Sequence, residues 1–401
     1  MMNVIRHHET VHSVDAEPGE LWEAFLQRSA LSNREGTRRT YRPMLEGKRV
    51  LITGAGGSIG SALVRFLAHM QAEELVLFDS SEGALHDVTQ LLQEIPEAAA
   101  HTAVLGSVCD STALAELFER HHPQIVFHAG AFKHVPLMET NPFAVVANNA
   151  LGTHVLVEAT AKYRCEQFIL VSTDKAVDPL SLMGASKRIA ELITLAPRPG
   201  ITRSKAVRLG NVLGSSGSVV PLFQRQIVQG GPITVSHPDV RRYFMTLAEA
   251  VGALLHTLSP DCPDGLLAPD LGPPIRVLDL AKYLIEQNRA EQRRTEQSGS
   301  ALPQEVPIVF TALRPGDKMQ ESLISTRETY ADGQKNLLHS VRTPSPGADE
   351  LAAALDCLRE AVQHRNLSLL LEAVLRLVPE YQPSVLLREQ LHSSVVTMVN
   401  A

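Results

Sequence analysis

A hydroxyl, a carboxylate and two amines fall within fifteen residues of this 401-residue chain: Thr173, Asp174 and Lys175 in Val171-Ser172-Thr173-Asp174-Lys175-Ala176, then Lys187 in Met183-Gly184-Ala185-Ser186-Lys187. An acid beside an amine can give one proton and take another. The apolar run Phe168-Ile169-Leu170-Val171 just upstream reads as a buried parallel strand. In open α/β sheets the chemistry sits at the carboxyl ends of strands. As a surface loop, the same residues would merely cap the next helix; their place after a strand favours a site.

The elements that must position these groups begin at Lys48-Arg49-Val50-Leu51-Ile52-Thr53, a short strand running into Gly54-Ala55-Gly56-Gly57-Ser58-Ile59-Gly60. Gly54, Gly57 and Gly60 allow a sharp turn, a close approach to pyrophosphate and tight helix packing, while Ser58 and Ile59 open a helix whose amides face the phosphates. A second strand, Leu75-Val76-Leu77-Phe78, ends in Asp79, nineteen residues after Gly60. This context predicts dinucleotide binding. Asp79, followed by Ser80 and Ser81 with no base nearby, suits a ribose 2′-hydroxyl and repels a 2′-phosphate, so NAD is expected over NADP; the alternative for Asp79 is a helix N-cap.

Strands and helices then alternate. Expected are a strand Thr102–Leu105, a helix Ala113–His121, a strand Ile125–His128, a turn Ala129-Gly130-Ala131-Phe132-Lys133-His134, and a helix from Pro142 to Tyr163 carrying Asn149. Ala129, Ala131, Lys133 and Asn149 are placed at the cofactor. Lys133 and His134 either line a nicotinamide or sugar pocket or are solvated loop residues; His134 is given no catalytic role. A helix is expected beyond Lys187 to Leu195, then a strand Ala206–Leu209 leading to Asn211. The fold class that follows is α/β, a doubly wound parallel sheet with a smaller interleaved C-terminal substrate-binding portion. The division expected is an N-terminal extension over 1–46, a dinucleotide-binding domain with the catalytic residues over 47–210, a substrate portion over 211–330 and a helical extension over 331–401.

Composition excludes several classes. A formal net charge of -7 and a pI near 6.2 oppose nucleic-acid binding. Sixteen histidines are scattered without ligand spacing, so no metal is expected. Four cysteines form no CxxC pair and read as reduced thiols of a cytoplasmic protein. No apolar run of eighteen residues and no apolar leader over Met1–Asp15 are present, so neither a membrane span nor secretion is expected. Arg34, Arg38, Arg39 and Arg42 form a basic cluster read as a solvated connector, with a phosphate or partner contact as the alternative. Residues 288–305 read as an exposed insertion, and two amphipathic helices are expected over 349–364 and 368–378 before a frayed end.

With these blocks in view, the chain resembles the extended short-chain dehydrogenase/reductases, with their Rossmann sheet. Within them it is most similar to the UDP-N-acetylglucosamine 4,6-dehydratases of capsule and O-antigen biosynthesis. The blocks are Phe132-Lys133-His134-Val135-Pro136-Leu137-Met138-Glu139, Ser172 to Val177, Met183 to Arg188, Gly210 to Pro221 and Arg242-Tyr243-Phe244-Met245-Thr246. Met183 stands where most of the superfamily carries a tyrosine base, and a thioether exchanges no proton; a subgroup thought to retain configuration at C5 shares it. Ser107 and Gly272-Pro273-Pro274 depart from the family pattern at places remote from the reacting groups.

The resemblance implies oxidation at C4 of a UDP-hexose by NAD, loss of water across C5 and C6, and return of the hydride to C6. Asp174 is then the acid at the C6 hydroxyl and Lys175 the base at C5, with Lys175 kept neutral by burial or by Lys187. Thr173 would bond the C4 oxygen and Lys187 the nicotinamide ribose, leaving the C4 proton to a relay through Thr173 or water. Asn211, Val219, Val220, Arg242, Arg314 and Glu321 are implied at the UDP-sugar, the arginines as diphosphate clamps and Glu321 as a ribose acceptor. A homo-oligomer is implied as well. The competing readings are a nucleotide-sugar epimerase and a catalytically dead NAD sensor.

Overall fold

A computed structural model describes residues 18–27, 34–199, 203–295, 305–331 and 337–391. The first strands are β1 (Arg49–Thr53), β2 (Glu74–Asp79), β3 (His101–Leu105), β4 (Ile125–His128), β5 (Gln167–Thr173) and β6 (Arg203–Leu209). Further on come β7 (Asn211–Val212), β8 (Ile233–Val235), β9 (Arg241–Arg242), β10 (Phe244–Met245), β11 (Gly265–Pro269), β12 (Ile275–Arg276), β13 (Ile308–Phe310), β14 (Thr329–Tyr330) and β15 (Leu338–Arg342). Nine of them form one sheet in the order β14-β15-β11-β6-β5-β4-β1-β2-β3. From β3 to β11 the pairs are parallel, and β15 and β14 add an antiparallel edge.

The expected doubly wound sheet is therefore present, with its winding reversed between β1 and β4. Helices cover both faces, which is why Val50, Leu51, Ile52, Val126 and Phe127 read as unbroken apolar runs and are all fully buried. Gly54 ends β1 at φ +69°, and a Cβ on it would lie 2.6 Å from the Gly130 Cα. The turns after β1 and β4 thus abut at the switch point, where an open α/β sheet forms its crevice.

The sheet takes strands from beyond residue 210 as well, since β11 pairs with β6 and β15 with β11. Helices Ala348–Gln363 and Leu367–Leu377 bury Leu351, Leu355, Leu358, Leu370 and Val374 in the same core as the sheet. A second core gathers Leu213, Val220, Phe223, Ile227, Phe244, Leu280 and Leu284 with Trp22 and Leu26. The N-terminal helix Pro18–Leu26 is thus part of the smaller body: Phe25 lies 6.2 Å from Phe244 and 5.0 Å from Tyr283, ring centre to ring centre.

Three local expectations change. The Arg34–Leu45 stretch is a helix, not a connector, because Leu45 is fully buried and Arg38 lies over the Phe66 ring at 5.8 Å. Helix Val277–Thr295 runs past Gln287 into the segment expected to be an insertion; residues 296–304 lie outside the described residues, as do Met1–Asp15 and the final residues from 392 on. Helix Leu182–Leu195 begins before Lys187, because the Ser181 hydroxyl caps it by accepting from the Gly184 amide at 3.1 Å. Among the described residues no helix is long and apolar enough to cross a membrane, and no cluster of His, Cys, Asp or Glu could hold a metal ion.

Candidate active site

Along the switch point runs a cleft of about 470 Å³. Its floor is the glycine turn, Gly57 to Gly60, at the start of helix Ser58–Leu67. Gly57 is the N-cap and brings no side chain to the first-turn amides, which stay available to an anion. Gly60 serves packing: a Cβ there would meet the Gly54 carbonyl oxygen at 2.0 Å. Asp79, at the carboxyl end of β2, accepts from the Gly56 amide and the Ser81 amide, both at 2.9 Å. It braces the turn from behind, outside the cleft lining, with Ser80 exposed beside it.

The second wall is the turn after β4, with Ala129, Ala131, Phe132, Lys133 and His134 all lining the cleft. Asn149, expected at the cofactor, is instead fully buried beneath this turn. Its amide group accepts from the Phe132 N–H at 2.8 Å and donates to the Phe132 carbonyl at 2.9 Å and the Ser186 hydroxyl at 3.1 Å. A π-helical turn over Ala147–Leu151, between helices Pro142–Val146 and Gly152–Lys162, aims Asn149 this way.

β5 delivers the candidate catalytic groups. After Thr173 the chain makes a single 3-10 turn, Asp174–Ala176. Asp174 is fully buried; its Oδ1 accepts from the Lys175 ammonium at 2.9 Å and the Thr173 hydroxyl at 3.0 Å, while Oδ2 has no hydrogen-bond partner among the described residues. Lys175 also donates to Asn211 Oδ1 at 2.9 Å, so Asn211 serves the lysine. Burial raises the Asp174 carboxyl, and the Glu321 charge adds to it against the pull of Lys175. For Lys175 burial works downward, yet Asp174 and Glu321 outweigh it and hold the amine above its ordinary value. The expectation of a lysine lowered by burial or by Lys187 is thus corrected: two carboxylates face it.

Met183 and Lys187 sit one helical turn apart and both line the cleft. Gly184 allows their helix to approach, since a Cβ on it would stand 2.2 Å from the Lys175 carbonyl oxygen. Burial pushes the Lys187 amine down to about 8, with Glu191 opposing.

Of the residues implied at the sugar nucleotide, Lys133, His134, Asn211, Val219 and Val220 line the cleft. Arg242, Arg314 and Glu321 do not. Arg242 is spent on the Arg241 carbonyl at 2.7 Å and lies 3.9 Å from Glu321. Arg314 is largely exposed and donates to Asp317 at 2.9 Å, with its charge felt at His134. Glu321 is buried, 3.3 Å from Lys318; burial raises its carboxyl, but Lys175, Lys318 and Arg242 together hold it low. It belongs with the Asp174–Lys175 charges.

The sequence reading missed the turn Ser215–Ser218 as a wall. Lys133 donates to the Ser216 carbonyl at 2.8 Å and the Ser216 amide donates to the Ser58 hydroxyl at 3.0 Å, strapping the glycine turn to the smaller body. It also missed Phe132 and Leu137, which the fold leaves exposed at the cleft, and Met138 and Phe244, buried residues that reach its lining.

Over residues 50–342 the chain matches the family described as polysaccharide biosynthesis protein. It is 40% identical over 309 residues to the probable polysaccharide biosynthesis protein EpsC of Bacillus subtilis, covering 77% of this chain but 48% of that protein; the chain spans about half the length of this relative. It is 31% identical over 315 residues to the UDP-glucose 4-epimerase of Rickettsia massiliae, covering 76% and 85% of the two chains. The X-ray structure of Pen from Bacillus thuringiensis superposes with a TM-score of 0.64 at 25% identity, covering 76% of this chain and 91% of that one.

Proposed function

The chain belongs to the polysaccharide biosynthesis protein family, and from that premise we propose an NAD-dependent UDP-sugar 4,6-dehydratase, acting on UDP-N-acetylglucosamine or a related UDP-hexose. The observation that carries this reading is the buried Asp174 carboxylate paired at 2.9 Å with Lys175, whose side chain lines a cleft that begins at a glycine turn. The uncapped first turn of helix Ser58–Leu67 fits a pyrophosphate, and Lys187, Ala129 and Ala131 line the cleft beyond it. When bound, NAD supplies oxidation at C4 and reduction at C6.

The pair supplies the elimination. An aspartate–ammonium pair and its neutral acid–amine form differ by one proton moved over 2.9 Å; the two carboxylates hold the resting amine charged, and water leaving as the sugar binds lowers the cost of reaching the neutral form. In that form the Lys175 amine takes the C5 proton while Asp174 gives its proton to the departing C6 hydroxyl. Both residues then return to the charged pair. Lys175 hands its proton back to C5 at the end. At the C4 hydroxyl, Met183 offers no base and the Thr173 hydroxyl is engaged by Asp174. The Lys187 amine, titrating at about 8, accepts that proton instead and returns it to the pair through the cleft.

A second reading, a UDP-sugar epimerase, is favoured by the Rickettsia relative's name. Incubating the protein with UDP-N-acetylglucosamine and NAD separates the two. Dehydration yields a product lighter by one water, epimerisation one of equal mass; equal mass throughout overturns the proposal.

A further inference from the structure

Beyond residue 342 the chain leaves the region matched by its family, yet a piece of it returns to the active site. After helix Leu367–Leu377 the backbone passes Val378, and the Gln382 amide donates to the Pro179 carbonyl at 3.1 Å. Pro179 lies in the loop between Lys175 and the helix that carries Met183 and Lys187. Tyr381, one residue earlier, is buried, and its hydroxyl has no hydrogen-bond partner among the described residues.

The group it approaches is Glu139, the last residue of the short helix Val135–Glu139 that follows Lys133 and His134. Glu139 is fully buried. Its Oε1 accepts from the Leu182 amide at 2.7 Å, taking the first free N–H of helix Leu182–Leu195. Its Oε2 is buried with no partner among the described residues. Gly316 closes the remaining side, where a Cβ would lie 2.9 Å from both Ser181 and Val135 and 3.5 Å from the Glu139 carboxyl carbon. A buried phenol and a buried carboxyl oxygen, neither with a partner among the described residues, are therefore electrostatically coupled where three elements of the site meet. Leaving both unpaired costs about 1–3 kcal/mol each, so the arrangement is not one that packing alone would select.

We propose that the C-terminal segment Val378–Ser384 is a working part of the active site: Tyr381 and Ser384 seat the Glu139 carboxyl, and Glu139 holds the first turn of the helix that presents Met183 and Lys187. These are positioning residues, since none touches the cleft. The electrostatics agree. Burial raises the Glu139 carboxyl, with the Ser384 hydroxyl and the Leu182 amide pulling the other way, and Tyr381 is raised by burial and by the Glu139 charge. A neutral Glu139 acid can bond Leu182 with one oxygen and the phenol with the other. The proposal rests on the cleft being the catalytic site but not on which reaction it performs.

The test uses the full chain and the variants Glu139→Ala, Glu139→Gln and Tyr381→Phe. Turnover and UDP affinity are measured alongside the titration of Lys187, read by NMR on carbon-13-methylated lysines and assigned by its absence in Lys187→Met. Glu139→Ala is expected to lower kcat about 100-fold with UDP affinity unchanged, and to move the Lys187 titration up from about 8. Glu139→Gln, whose amide oxygen still accepts from Leu182, keeps both. Tyr381→Phe is expected to lower kcat about tenfold. If Glu139→Ala does not fold, the other two variants decide. Variants that change only the melting temperature, or a Glu139→Gln as impaired as the alanine, overturn the proposal. If the wild-type protein removes no water from UDP-sugars, the proposed reaction fails, while the Lys187 titration still tests the positioning.

Discussion

Asp174 and Lys175 are adjacent in sequence and bonded in space, yet neither has the titration its neighbours in an open loop would have. Both are raised, Asp174 by burial first and Lys175 by the carboxylates that outweigh burial. The pair therefore keeps its proton over a wide pH range and can present acid and amine together. Asp174→Asn and Lys175→Ala are each expected to lower kcat about 10²- to 10⁴-fold while leaving NAD bound, which absorbance of the purified protein checks. Lys187 is the opposite case, an amine pushed down to about 8 by burial. If its neutral form takes the C4 proton, the single-turnover reduction of bound NAD rises as pH increases through about 8 and levels off above it. A step that instead declines through that range would assign Lys187 a cationic role. Lys187→Met is expected to abolish the rise, and Met183→Tyr, which restores a phenol to the helix, to leave the reaction running.

At the scale of elements, the site is a meeting of three strand-end turns and one helix, walled by the Ser215–Ser218 turn. The glycine turn after β1, the Asn149-braced turn after β4 and the 3-10 turn after β5 lie side by side because their strands do. Helix Leu182–Leu195 is buried from Leu182 to Thr194, so it cannot slide or rotate without disturbing its neighbours. Its approach to the β5 turn depends on Gly184. Gly184→Ala would press a methyl group into the Lys175 carbonyl, and the helix must retreat. A loss of about 100-fold in kcat is expected, with UDP binding retained, measurable by turnover beside calorimetry; equal loss of both would show that the variant had disrupted the whole cleft.

Across the whole molecule, a buried ionic network ties the site to the distal edge of the sheet. Arg208, fully buried, donates to Glu191 at 2.9 Å and to Glu328 at 2.6 Å. Glu191 also accepts from the Ser172 hydroxyl at 2.6 Å, beside the 3-10 turn, and Arg188 joins Glu191 at 3.0 Å. Removing one partner of such a set strands the others: Arg208→Met is expected to cost about 3–5 kcal/mol, read from the denaturant midpoint. Glu328 adds a pH signature. Burial opposes its charge, but the Arg208 guanidinium holds its carboxyl down at about 2. A depressed carboxyl contributes stability that is complete above its unfolded value of 4.5 and is lost as pH falls through about 2, so acid unfolding in that window should weaken in Glu328→Gln. The N-terminal helix belongs to the other body, and Trp22, the chain's sole tryptophan, reports on that core by its fluorescence.

The sequence by itself determined the parts whose signals are local. Apolar runs and glycine spacing marked the strands, the phosphate turn and the end of β5, because a buried parallel strand and a turn at φ > 0 each demand particular residue types within a few positions. That Thr173, Lys175, Met183 and Lys187 would share a cleft followed from the same pattern, and Asp174 lies buried directly behind them. Only the tertiary structure decided what each charge would meet. Glu321 lies 147 residues beyond Asp174 in sequence and enters its electrostatic field only through the fold. Arg242 and Arg314 look like phosphate clamps by type, yet one is spent on backbone carbonyls and the other on Asp317. Protonation depends on burial and on charges brought from distant segments, and neither is written in the spacing of neighbouring residues.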